Sequence, residues 1–171
     1  MKRNLLPVFA SIAAVSLFVP FVNVKAAALS AEGQEFVKKA AAGGMAEVKL
    51  SELAGSRASA ANVKEFAQQM VVDHTKANDE LKAIAESDKI AWPTKLHGDS
   101  EVAYNELSKL SGAKFDAEYV KVMVGDHDKT VRAFEEASGK VKNPALKSFI
   151  EKTLPVLRQH QQHIHAIAGK A

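Results

Sequence analysis

Phe66-Ala-Gln-Gln-Met70-Val-Val-Asp73-His74 recurs in this chain as Tyr119-Val-Lys-Val-Met123-Val-Gly-Asp126-His127. An aromatic, a Met, an Asp and a His keep the same spacing in both copies. In a helix, residues four apart stand one above the other, so each Met and its His share a face. That face is the apolar one, which places both imidazoles inside a helical bundle. A buried imidazole is costly without a partner. Two in matching places point to a site, or at least to a polar network.

Working outward, four long segments have helical periodicity, and no segment reads as a strand. The first runs from about Ala31 to Leu53, with Ser30 as N-cap and Gly55 just past its end. The second begins at Ser59 or Asn62 and reaches about Ser87. The third runs from about Ala113 to Ser138, with Gly139 as its stop. Asn143-Pro144 opens the fourth as N-cap and N1, and it ends near Ala168. A linker holding Pro93 and Gly98 and a short helix from about Asp99 to Leu110 join the second and third. The two short loops make hairpins, and the pattern is an antiparallel four-helix bundle with a short extra helix in its middle connection.

Heptad spacing places Glu47, His74, His127 and His160 on the core faces of the four helices. Inward-facing Glu and His on neighbouring helices are the means by which bundles hold metals. With both short loops at the same end, the three histidines fall within roughly 8 Å along the axis at 1.5 Å per residue. Glu47 then lies nearer the loops, and the small residues from Ala40 to Gly44 stand level with the histidines. Glycine inside a helix lowers stability, so this stretch serves a tight crossing or leaves space for a ligand. The candidate metal set is His74, His127, His160 and Glu47. Alternative or supporting ligands are Met70, Met123, Asp116 and Tyr119. Asp73 and Asp126 either orient a neighbouring imidazole or are boundary charges. Copper, iron and zinc all accept imidazole, and the Met–His pairs add a reading as copper(I). His160-Gln-Gln-His163-Ile-His165 resembles a metal motif near the terminus. His-Glu-x-x-His and Gly-rich phosphate loops are absent from the sequence. Pro155 lies within the fourth helix and removes the backbone donor for Glu151.

Residues 1–26 read as a signal peptide: Lys2 and Arg3, an apolar run from Leu5 to Val22, and Val24-Lys25-Ala26 as the cleavage site. An uncleaved anchor is the alternative, which Pro7 and Pro20 oppose. The reading is an exported protein, periplasmic or secreted, with one domain over 27–171. The pI of about 9.0 overstates the basicity of that domain. Removing Lys2, Arg3 and Lys25 takes Lys+Arg from 23 to 20, against 20 Asp+Glu. A neutral domain has no charge excess to drive nucleic-acid binding. The chain has no Cys, which excludes disulfide partners and thiol chemistry.

The elements Phe36 with Gly44-x-x-Glu47, Val63-Lys-Glu-Phe66-Ala-x-x-Met70-Val-x-Asp73-His74, Phe115-Asp116-x-x-Tyr119, Met123-Val-x-Asp126-His127, and Leu154-Pro155 followed by His160 carry a resemblance. Over about Glu35 to Gly169 the chain resembles the exported, ferritin-like family known as domain of unknown function 4142. The resemblance implies export and a ferritin-like four-helix bundle, and no established activity. Ferritin-like oxidases carry Glu-x-x-His on two helices. Here Val71, Val124 and Leu157 stand three residues before the histidines, which argues against ferroxidase chemistry and iron storage. Three functions stay open. The preferred one is a non-enzymatic envelope protein that holds a metal ion or small ligand in its core. The others are a structural or stress-related module that binds an envelope partner, and a metal-dependent oxidase-type enzyme.

Overall fold

The computed structural model describes residues 28–169, and the signal-peptide reading lies outside them. The described residues form five helices and no strand: α1 (Ala31–Arg57), α2 (Ala61–Ser87), α3 (Asp99–Leu107), α4 (Gly112–Lys140) and α5 (Pro144–Ala168). None of these helices is long and apolar enough to cross a membrane.

The helix starts follow the capping rules in part. Ser30 accepts a hydrogen bond from the Gly33 amide at 3.2 Å, and Asn143 accepts one from Leu146 at 3.0 Å. Neither Ser59 nor Asn62 caps α2. Its N-cap is Ala60, which has no side chain for the task. Asp116 of α4 supplies the cap instead. Its carboxylate accepts from the Ser59 amide at 3.0 Å, from the Ala60 amide at 2.9 Å, and from the Ser59 hydroxyl. A carboxylate holding backbone donors this way contributes about 1.5–3 kcal/mol. Asp116→Ala should therefore lower the unfolding free energy by about 2 kcal/mol, read as a shifted urea midpoint at unchanged slope. An unshifted midpoint would mean that water caps α2 equally well.

The helix ends differ from expectation. α1 continues through Gly55 and α4 through Gly139. Ala54, Ala58 and Ala137 are buried in the core clusters, and that packing outweighs the roughly 1 kcal/mol cost of a helical glycine. α2 ends with Lys89 at φ 57°, the Ile90 amide bonded to the Ala85 carbonyl and the Lys89 amide to that of Glu86. This is the Schellman closure, with Lys where glycine is usual.

α1 packs on α2 and α4, and α5 packs on α4 and α2, with α3 lying against α1 and α4. Two apolar clusters fill the bundle. One joins the α1–α2 loop region (Ala54, Ala58, Val63) to Phe115 at the start of α4 and Ile167 at the end of α5. The other joins Leu29, Val37 and Ala85 to Ala137 and Leu146 on either side of the α4–α5 loop. The two short loops therefore lie at opposite ends, not at the same end. The connection from residue 88 to 111 spans the length of the bundle and returns the chain to the first end. Every adjacent pair of long helices is antiparallel as a result.

Candidate metal centre

His74, His127 and His160 sit near the middle of α2, α4 and α5. A mid-helix residue reaches the same height whichever way its helix runs. The three histidines therefore meet even though the loops are at opposite ends. Their ring centroids lie 5.3 Å apart for His74 and His160, 5.7 Å for His127 and His160, and 5.9 Å for His74 and His127. One ring nitrogen from each lies within 4.8 Å of the others. All three are buried, and Glu47 of α1 is buried with them.

Glu47 stands level with the histidines rather than nearer the α1–α2 loop. Its Oε2 is 2.9 Å from His74 Nδ1, and its Oε1 is 3.8 Å from His127 Nε2. Gly44 is instead level with Asn78, whose amide lies where a Gly44 Cβ would be. The α1–α2 loop is residues 58–60, so Glu47 lies 12 residues before its centre and His74 15 after it, and antiparallel pairing within this one hairpin brings them face to face.

Each imidazole has one nitrogen engaged and one free. His74 Nδ1 donates to Glu47, His127 Nδ1 donates to the Met123 carbonyl at 2.9 Å, and His160 Nε2 donates to Asp73 Oδ2 at 2.8 Å. Carbonyls and carboxylates can only accept, so they fix which nitrogen carries the proton. The remaining nitrogens, His74 Nε2, His127 Nε2 and His160 Nδ1, are buried without a hydrogen-bond partner, and so is Glu47 Oε1. Buried polar atoms are nearly always hydrogen-bonded. Here one nitrogen from each of three imidazoles lies within 4.8 Å of the others, and Glu47 Oε1 is 3.8 Å from His127 Nε2.

The electrostatics follow from this packing. Burial pushes the Glu47 carboxyl up, but the charge and hydrogen bond of His74, with His127 and His160 behind, hold it below the ordinary range. Burial pushes His74 down, yet the Glu47 charge and hydrogen bond, with Asp73 adding, raise it overall. His160 is lowered, by burial and by the charges of His74 and His127, against the pull of Asp73. Asp126 is raised, by burial and by the nearby Glu47 charge.

Two other candidates are engaged elsewhere. Asp116 is committed to capping α2, and the Tyr119 hydroxyl pairs with Ser51 Oγ at 2.8 Å. Neither forms a polar network with the histidines. Met70 and Met123 are fully buried in the apolar cluster that holds Phe66 and Phe115, and Met123 reaches His127 through its backbone carbonyl. His163 is exposed and stands edge-on to Phe66, while His165 pairs with Asp128 at 2.9 Å on the surface. Pro155 leaves α5 a continuous helix. Asp73 has the orienting role, across from α2 to α5, whereas Asp126 makes no such bond. The sequence repeat gave both Asp residues equal standing. The difference arises because His160 faces only Asp73.

No curated protein sequence matches this chain. Its fold is similar to a DUF305 fragment from Deinococcus radiodurans, at 12% identity and TM-score 0.75, covering 85% of this chain and 100% of that one. It is also similar to CopM in the Cu(I)-bound form, at 13% identity and TM-score 0.68, covering 81% of this chain and 96% of that one. The family described as a domain of unknown function (DUF4142) matches residues 22–167, most of the sequence, and the chain belongs to that family.

Proposed function

We propose that this is an exported, non-enzymatic protein of the cell envelope that binds one transition-metal ion between His74, His127 and His160, with Glu47 holding the His74 ring in place. The observation that carries the reading is the meeting of three buried imidazoles, each with one ring nitrogen that has no hydrogen-bond partner. Each imidazole already donates its other N–H to an oxygen, the arrangement that metal-bound histidines use to fix their tautomer. Three imidazoles suit zinc, copper or iron, and affinity for such a set peaks at copper along the divalent series. A Cu(I)-bound relative in fold supports copper as the first metal to test. Two hairpins joined by one long crossover is also the connectivity of ferritin-like bundles, which supports a place among them without their Glu-x-x-His ligands.

Calorimetric titration of chelator-treated protein with Cu²⁺ and with Zn²⁺ tests the reading. It should give one site per chain. Absence of saturable binding of both ions would overturn it. Asp73 offers a finer check, because its carboxylate holds His160 without facing the ion. Asp73→Ala should weaken binding about 10–100-fold, the usual effect of losing such a partner, with stoichiometry unchanged. Undiminished affinity would mean that packing alone aims His160.

A further inference from the structure

The long helices enclose a cavity of about 210 Å³ that has Glu47 and His74 at its floor. Cavities of about 150 Å³ hold a benzene ring, so this one accepts a molecule somewhat larger. Its wall is aromatic: Phe36 and Phe134 meet edge to face at 5.0 Å, and Phe149 stands 6.1 Å from Phe134. The α1 side is cut back to Ala40, Gly43 and Gly44. A Cβ on Gly43 would meet nothing within 4 Å, so the space there is open. Lys39 and Lys129, both exposed, flank the mouth between α1 and α4. Among the described residues Lys39 pairs with the exposed Glu35 at 3.5 Å, and such pairs exchange readily.

We propose that this cavity binds a small monocarboxylic acid with an aryl or short alkyl body. The body lies against Phe36 and Phe134, and the carboxylate pairs with Lys39 and Lys129. The Glu47 charge at the floor repels an anion, so the acid group must face the mouth, where the two cations stand. A cationic ligand would have to pass both lysines, and one oxygen of Glu47 is already taken by the His74 Nδ1 hydrogen bond. An apolar pocket with a few converging polar groups is the usual form of a small-molecule site. This proposal does not rest on a bound metal.

The test is calorimetric titration of chelator-treated protein with 3-phenylpropionate and with hexanoate, beside their neutral amides. Both acids should bind at one per chain, with the amides about five- to tenfold weaker, as expected for exposed charge pairs. Lys39→Gln with Lys129→Gln should bring the acids down to the affinity of the amides. Gly43→Leu should abolish binding while the thermal midpoint holds or rises, because leucine is the better helix former. Failure of both acids to bind, equal affinity for acids and amides, or binding that survives Gly43→Leu would each overturn the proposal. Metal titration is a separate readout, so either result leaves the metal centre to its own test.

Discussion

Replacing His74 and His127 together with alanine should abolish the stabilisation of this protein by added metal. A ligand that binds only the folded state at a hundred times its dissociation constant adds about 2.7 kcal/mol. For a chain of this size that is a rise of roughly 5–10 °C in the thermal midpoint. The wild-type protein should show this rise on addition of Cu²⁺ or Zn²⁺ after chelation, and the double variant should show none. The double variant also strands the buried Glu47 carboxylate, and loss of a buried partner costs about 3–5 kcal/mol. It is therefore paired with His160→Ala, which removes a ligand and leaves only the half-buried Asp73, which water can reach. His160→Ala should fold and still lose most of the rise. His163→Ala with His165→Ala should keep it, since those rings lie on the surface. A purely structural polar network predicts the opposite pattern: less stable variants, and no metal-dependent rise in any form.

Phe66→Ala should be the most damaging single change in the core. Its side chain is fully buried, and its ring faces Tyr119, His127, His160 and His163 at centroid distances of 6.5, 6.1, 6.2 and 5.4 Å. Truncating such a ring costs about 3–5 kcal/mol through lost burial and the cavity left behind. Domains have only about 5–15 kcal/mol in total. The urea midpoint should fall accordingly at unchanged slope. Metal affinity should fall with it, because Phe66 walls two of the three imidazoles. A loss below about 1 kcal/mol would contradict the packing described.

The helices were legible in the sequence because their signals are local. Ser30 and Asn143-Pro144 mark their starts, and the heptads mark their faces. Gly55 and Gly139 misled, because a glycine stops a helix only where no packing carries it onward. The α2 cap could not be read locally at all, since it comes from Asp116, far along the chain. The four core-facing ionisable residues were also legible, as polar interruptions of apolar stripes. The shared height of the three histidines was legible as well, whereas the height of Glu47 and the end that each loop occupies were not. The loop ends are decided by the clusters that bury Ala58 beside Ile167 and Leu29 beside Leu146. The role of Asp73 required the α2–α5 contact, and the cavity required all four helices in place.

The central claim is that the open ring nitrogens of His74, His127 and His160, with Glu47 behind them, hold a metal. It is tested most directly by elemental analysis of the protein purified without an affinity tag from its native host, beside His74→Ala/His127→Ala. One equivalent of a transition metal in the wild type, absent from the variant, is the result expected here, and it would identify the metal. Wild-type protein with no transition metal, or with the same content as the variant, would contradict the claim.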